Sequence, residues 1–468
     1  MNFETLFAGV NENPVEAALI GVGEFGASLI AQGQRMPSLK VRVLCDQDTK
    51  RAQSAALACG IEAEHITVCE NAASAQSAFA RGDTVILPDA TLINDLDIDI
   101  VVEATGVPEV AARNALAAID HGRHVAMVSK EADSVVGSIL HHRARAAGLT
   151  YTPIDGDQPS LLIGLVTWAR ILGLDIVTAG KSSEYDFVYD PDRQQVSWRD
   201  QIVDVPGFDK LWQLPAENIQ ELLSERADVL SDFPRRIVPD YCEMGVVCNA
   251  LGLKPDRRDF HAPICRTVEV AEVLRPVEFG GVLERSGVVD VFNCLRRPDE
   301  ASFAGGVFIV VRCSDEGTWK TLKGKGIPVS RANDHALLYN PQHLLGLEAP
   351  ISILSAVRLG RSTGGVDPQP VVDLVARATT SLKAGTEFKI SDPHHHTIAG
   401  IDSFLADAAP VQDKNPLPYY MALHHKLKRD VAAGEMITAD VVDLPETSVL
   451  VRLRREQDGV FGMSGQNG

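Results

Sequence analysis

A glycine-rich turn set between an apolar strand and a helix constrains this chain more than any other feature. Gly21-Val22-Gly23-Glu24-Phe25-Gly26 follows Ala17-Ala18-Leu19-Ile20 and leads straight into a helix-period run over residues 24–34. A lone G-x-G-x-x-G is weak, but strand, glycines and helix in immediate succession describe a dinucleotide cradle. The first glycine allows the tight turn, the second lets the backbone approach a pyrophosphate, and the third lets helix and strand pack. The helix start adds N–H donors and positive potential. Twenty residues past Gly26, at the end of the next strand, Asp46 is placed to accept hydrogen bonds from a ribose diol. A glycine turn that binds nothing is the alternative.

The pattern around this turn is α/β. Predicted strands at 16–20, 41–45, 84–87, 98–103, 124–129 and 150–153 alternate with helices at 24–34, 50–59, 108–120 and 134–147, which implies a parallel sheet with crossover helices. The turn Ala104-Thr105-Gly106 belongs on the nicotinamide side, because ligands lie outside the carboxyl ends of strands where strand order reverses. Ser129 and Lys130 reach the same rim from the strand at 124–129.

The remaining chain divides further. A predicted helix runs from Gln158-Pro159-Ser160 to Leu172, a strand covers 175–179, and residues 182–233 read as a long excursion over the active-site side. A Gly/Pro-rich passage at 364–370 reads as a linker. In the tail, the turn at 381–387 is echoed at 430–436, and these paired turns resemble those of SAF domains, small β-clip modules. The expected organisation is therefore a Rossmann-type parallel-sheet domain over 1–154, an α+β catalytic and oligomerisation domain over 155–375, and a small β-rich SAF-like domain over 376–468.

Charge and cysteine content narrow the partners. Forty-four Lys and Arg against 63 Asp and Glu leave a net charge of −19, which argues against nucleic acid and anionic membranes. Eight Cys without a close pair give neither a disulfide framework nor a zinc ribbon. Residues 1–14 lack the basic stretch of a secretory leader, and the apolar run at 161–179 is broken by Arg170 and Asp175. A cytoplasmic protein that forms homo-oligomers and takes a small-molecule substrate is the expectation.

With these residues placed, the chain resembles the homoserine-dehydrogenase-like oxidoreductases, and within them the deoxyxylulose-phosphate reductoisomerase-like (DRL) proteins. The resemblance rests on ordered matches: 104–110, 131–133, Gly156-Asp157-Gln158-Pro159-Ser160, Ala179-Gly180-Lys181, Ser286-Gly287-Val288-Val289-Asp290, Gly305-Gly306-Val307-Phe308, Gly324-Lys325-Gly326 and His343-Leu344. It implies a nicotinamide cofactor, isomerisation and reduction of deoxyxylulose phosphate, and a divalent metal ion. Two departures stand against that substrate. Asp46 occupies a position where DRL-type chains tend to carry small and basic residues, and Asn340-Pro341-Gln342-His343-Leu344 stands where they favour Arg-Pro-Tyr-His-Leu. A carboxylate at Asp46 favours NAD, while Lys50 and Arg51 leave room for NADP.

Reducing a carbonyl requires a donor against the oxygen that becomes an alkoxide. Lys181, expected in a turn after its strand, is the candidate donor. Asp155 and Asp157 are candidates for orienting it, binding substrate hydroxyls or taking a hard divalent ion, with helix capping as the structural alternative for one of them. Glu243, His261, Lys325 and His343 are candidate substrate contacts. Three adjacent histidines, 394–396, cannot all face one ion from a strand, so no metal is assigned to them. A dehydrogenase of carbohydrate-acid catabolism and a cofactor-binding sensor without turnover are the competing readings.

Overall fold

The protein is described here by a computed structural model covering residues 2–312 and 315–463. Seven parallel strands form the first sheet: β1 (Val15–Ile20), β2 (Leu39–Cys45), β3 (Ile66–Val68), β4 (Thr84–Leu87), β5 (Ile100–Glu103), β6 (His124–Met127) and β7 (Tyr151–Pro153), in the order β3-β4-β2-β1-β5-β6-β7. Most are apolar on both faces, as a sheet covered on two sides requires. The order reverses between β1 and β5, so their carboxyl ends open a crevice there. Glycine is needed at that point. A Cβ on Gly21 (φ +93°) would stand 2.5 Å from the Ala104 carbonyl oxygen, so the two cofactor turns touch backbone to backbone.

Strand and helix ends agree with the sequence reading to within a few residues, with one difference of consequence. The helix expected from residue 134 begins at Lys130 and runs to Ala146, so Lys130 and Glu131 occupy a first helical turn rather than a strand end. The sequence reading also passed over β3 and the Ala72–Arg81 helix.

The second sheet has nine strands. Its spine is β8 (Asp175–Ser182), β14 (Val288–Arg296), β15 (Val307–Arg312) and β16 (His335–Asn340); β12 (Lys254–Pro255) and β13 (Ile264–Cys265) pair with β14. The predicted excursion at 182–233 is corrected here. It supplies β9 (Phe187–Asp190), β10 (Gln195–Trp198) and β11 (Gln201–Asp204), which extend the sheet from β14 over an aromatic core containing Phe187, Tyr189, Trp198, Trp212 and Phe233. Its Pro and Gly turns are the hairpin and loop connections of that extension.

Gly/Pro-rich residues 364–370 are not a free linker either: a Cβ on Gly364 would meet Pro153 at 2.5 Å, and one on Gly365 the Ala250 carbonyl at 2.5 Å. Another close passage locks the two sheets together. Gly346 lies against the helix that follows the glycine loop, where a Cβ would come within 2.4 Å of the Leu29 nitrogen.

In the tail, β17 (Val372–Ala378) pairs with β20 (Ile401–Asp407), and β18 (Ile390–Asp392) with β19 (Thr397–Ile398). The two echoed turns bind each other: Leu382 and Val431 exchange both backbone hydrogen bonds at 2.9 Å, and Lys383 pairs with Asp430 at 2.8 Å. The tail then returns to the first domain. Its Val449–Val460 helix packs on the helices at Pro108–Asp120 and Lys130–Ala146, and Glu109 caps its start through Ser448 Oγ (2.6 Å) and the Val449 N–H (2.8 Å). Among the described residues no helix is long and apolar enough to cross a membrane.

Candidate active site

The cofactor-side residues come together as a groove. Gly21, Gly23, Asp46, Arg51, Thr105 and Asn114 are among the walls of a cavity of about 600 Å³ beyond the ends of β1, β2 and β5. The helix starting at Glu24 has Gly23 as its N-cap, with no side-chain hydrogen bond there. Gly26 has no room for a side chain, since its Cβ would stand 2.6 Å from the Gly21 oxygen. Val22 is buried, Phe25 half-buried and Glu24 exposed.

Asp46 accepts the Val22 N–H at 2.9 Å and the Asp48 N–H at 2.9 Å, and it pairs with Arg51 at 2.6 Å. Burial opposes its charge, but Arg51 and the two N–H groups prevail and hold its carboxyl below the usual range. Across the groove, Thr105 Oγ1 donates to buried Glu103 at 2.6 Å, and Gly106 donates its N–H to Ser129 Oγ at 2.8 Å. The residues therefore fit a dinucleotide: close backbone, an uncapped helix start, and a carboxylate and guanidinium at the ribose end.

The chemistry-bearing cluster lies where the Lys130–Ala146 helix, β8 and the Val238–Leu251 helix converge. Glu243 binds Lys130 through Oε1 and Lys181 through Oε2 in short contacts. Lys181 also pairs with Asp240 at 3.0 Å, whose other oxygen accepts from Ser183 Oγ at 3.0 Å. Lys130 lies 3.4 Å from Asp157.

Burial favours the neutral forms of both lysines, yet the surrounding carboxylates raise both ammonium pKa values above the ordinary lysine range. For Glu243, burial is overcome by the two lysines, which bring its carboxyl down to about 2. Lys181 is 1% exposed, whereas the Lys130 side chain is 24% exposed.

The position of Lys181 corrects the expected turn. Gly180 and Lys181 lie inside β8, paired with Asp290 and Val291 of β14 and with Phe308 and Val307 of β15. Gly180 serves close packing, because a Cβ there would meet the Asp290 oxygen at 1.9 Å.

The two acidic-loop candidates have different surroundings. Asp157 caps the Gln158–Ile171 helix through the Gln158 N–H at 3.0 Å and also faces Lys130. Asp155 accepts from Ser160 Oγ at 2.5 Å, and its N–H binds Ser352 Oγ at 2.7 Å; no hydrogen bond or ion pair joins it to the lysines. His261 binds Asp256 at 2.8 Å and donates its N–H to Asp290, which places it in a loop anchor. His343 lies near Gln158, both flanking Gly305. Lys325 is exposed at the end of the Glu316–Gly324 helix, with no hydrogen bond or ion pair to the cluster.

One participant went unnoticed in the sequence, and another was read there only as part of the 394–396 histidine run. Asp240 shares a helix with Glu243 at i, i+3, a spacing that could have identified it. His396 arrives from the β18–β19 turn, with Nδ1 2.9 Å from Tyr420 Oη and 3.9 Å from Glu131. Burial and the Lys130 charge bring its ring down to about 4, so it is neutral near pH 7. Burial likewise pushes Glu131 up to about 7.

The cluster does not fit a divalent ion as arranged. Glu243 and Asp240 are matched by two ammonium groups, and Asp157 is divided between its cap and Lys130. Among the described residues, the trio with ligand atoms close enough for a metal is exposed Glu62, Glu64 and His65.

Two family models match parts of the chain. Residues 21–152 match the family described as homoserine dehydrogenase, NAD binding domain, and residues 239–349 match oxidoreductase DRL, catalytic domain. A search of curated proteins finds no match. Among solved structures, a homoserine dehydrogenase from Thiobacillus denitrificans aligns at 14% identity over 80% of this chain and 84% of its own, with a TM-score of 0.39. A DOX-P reductoisomerase with fosmidomycin and magnesium aligns at 16% identity over 51% and 58%, with a TM-score of 0.31. An Agrobacterium radiobacter oxidoreductase in complex with NAD+, L-tartaric acid and magnesium aligns at 16% identity over 37% and 46%, with a TM-score of 0.27. The chain spans less than half the length of this last structure.

Proposed function

We propose, for a chain that belongs to the homoserine-dehydrogenase-like oxidoreductases and carries a DRL-type catalytic region, that it catalyses NAD-linked hydride transfer on a small polyhydroxylated, phosphorylated carbonyl compound. The observation that carries this reading is the buried relay Lys130–Glu243–Lys181–Asp240, set between the two sheets beside the cofactor rim. When bound, the nicotinamide supplies or accepts the hydride.

The chain's own residues supply the proton and the charge. Lys181 is the donor that stabilises the developing alkoxide, through an ammonium that the Glu243 and Asp240 carboxylates keep protonated near neutral pH. Lys130 orients the substrate oxygen at the open side, and Glu243 holds both ammonium groups at one locus. Asp157 fixes Lys130 from the loop. The three-part division at residues 154 and 375 belongs to the same proposal, as do substrate contacts by His343, His261 and Lys325.

Deoxyxylulose phosphate is the best-defined substrate within this class. A sugar acid is the second reading, favoured by the Asp46 carboxylate at the ribose end of the groove. Turnover with a panel of four- and five-carbon sugar phosphates and sugar acids tests both. Reaction with the former supports the first reading, reaction with the latter the second, and turnover of neither with NAD or NADP removes the proposal.

Cofactor choice gives a sharper prediction. A 2′-phosphate would approach the Asp46 carboxylate, and at an effective dielectric near 20 a close like-charge contact costs on the order of a few kcal/mol. NAD is therefore expected to bind more tightly than NADP, and Asp46→Ala to narrow the gap. Equilibrium titration of both nucleotides decides this. NADP binding tenfold tighter than NAD to the unaltered protein would overturn the assignment, with Arg51 then clasping the phosphate.

A further inference from the structure

Glu103 is a buried carboxyl that the proposed chemistry does not use. It ends β5, fully buried, one residue before the Ala104 carbonyl that meets Gly21 where the two cofactor turns touch. Its Oε1 accepts from Thr105 Oγ1 at 2.6 Å and from the Thr105 N–H at 3.3 Å, while Oε2 has no hydrogen-bond partner. Thr105 is a wall of the cofactor groove, and Glu103, bonded to it, stands one layer behind.

No cation accompanies this carboxyl. Burial pushes it above its ordinary range, and the hydrogen-bonding groups of Ser129, Thr105 and Asn114 oppose that only in part. The titratable groups facing it are Glu131 from the Lys130–Ala146 helix and Tyr151 from β7, both acidic. The Pro108–Asp120 helix presents uncharged Asn114, and the turn after β6 presents uncharged Ser129. Among the described residues no Lys, Arg or His forms an ion pair with it.

A buried carboxylate ordinarily has a counter-charge. The nicotinamide ring of a dinucleotide is cationic when oxidised and neutral when reduced, and the turn that Glu103 anchors belongs to the nicotinamide side of the groove. We propose, on the cofactor reading above, that Glu103 is a specificity-determining residue of the cofactor site, which favours the oxidised over the reduced dinucleotide by setting a carboxylate behind the Thr105 wall as counter-charge to the cationic ring.

A proton linkage follows. The cationic ring favours the ionised carboxyl and the neutral ring does not, so the preference for NAD+ is present above the pH at which Glu103 ionises and is lost as pH falls through it. NAD+ and NADH share adenosine, pyrophosphate and both riboses, so Asp46 and the glycine loop act on them alike. The ratio of the two affinities therefore isolates the nicotinamide end. Opposite charges about one residue layer apart, at an effective dielectric near 20, change such a ratio about tenfold or more.

The test is equilibrium binding of NAD+ and of NADH to the full-length protein, without substrate, from about pH 6 to about pH 9. In the unaltered protein the NAD+ to NADH affinity ratio is expected to rise about tenfold or more with pH, and in Glu103→Gln to stay flat near its low-pH value. Glu131→Gln removes the other nearby carboxyl and should leave the rise in place, a comparison that decides the source of the rise even where Glu103→Gln does not fold. A ratio independent of pH in the unaltered protein, the same rise in folded Glu103→Gln, or loss of the rise in Glu131→Gln overturns the proposal while leaving the cofactor reading intact. Failure of both nucleotides to bind overturns the two together.

Discussion

Lys181→Met is expected to lower kcat by about 10²–10⁴-fold, the usual worth of a positioned acid or base, while nucleotide affinity changes little. The affinity should survive because the cofactor groove and Lys181 lie on different sheets, with the shared residue Lys130 still held by Asp157. The substitution also has a folding consequence. It leaves Asp240 with no cation and Glu243 with one, and removing one partner from a buried ion pair costs about 3–5 kcal/mol.

Rate and stability must therefore be measured on the same preparation. A folded variant that binds nucleotide normally but turns over slowly confirms the role. Retention of more than half the original kcat, with chemistry rate-limiting, would transfer the donor role to Lys130. Both ammonium pKa values are raised, so the reductive rate should not fall as pH increases through the neutral range.

The second large effect concerns the tail. Arg454 is completely buried and binds Asp373 through both nitrogens, at 2.6 and 2.7 Å, Asp458 at 2.8 Å and the Ala409 carbonyl at 2.7 Å. Arg454→Met strands the buried Asp373 carboxylate and is expected to cost about 3–5 kcal/mol. Neighbouring Arg455 pairs with Glu446 in solvent, so Arg455→Met should change stability by about 1 kcal/mol or less.

Denaturant unfolding followed at a tail probe and at bound nucleotide distinguishes the reach of the effect. Because the 449–460 helix lies on two helices of the first sheet, both probes should shift with Arg454→Met. A shift confined to the tail would show that the tail unfolds independently.

What was legible in the sequence was mostly local. The glycine loop could be read because turn, strand and helix signals coincide within a few residues, and the parallel sheet because its strands and helices keep their periods. Lys181 was legible as a residue but not as a position. Gly180 carries the same letter whether it turns a chain or admits a neighbouring backbone, and only the approach of Asp290 distinguishes the two. The Lys181 partners, Asp240 and Glu243, are more than fifty residues away in the chain, and the packing of a helix on a sheet is what joins them. The aromatic strands at 187–204 were obscured by polar and Pro-containing turns. His396 could not have been placed by local pattern, since its contact with Glu131 depends on how the tail folds back over the first domain.

Hydride transfer itself is the central claim, and isotope transfer tests it most directly. The protein is incubated with reduced nicotinamide dinucleotide carrying deuterium at the reacting carbon and with each member of the sugar-phosphate and sugar-acid panel, and the products are analysed by mass. One substrate is expected to acquire a single deuterium with the unaltered protein, and to acquire it about 10²–10⁴-fold more slowly with Lys181→Met. Bound nucleotide without label in any product, across the whole panel, would contradict the account.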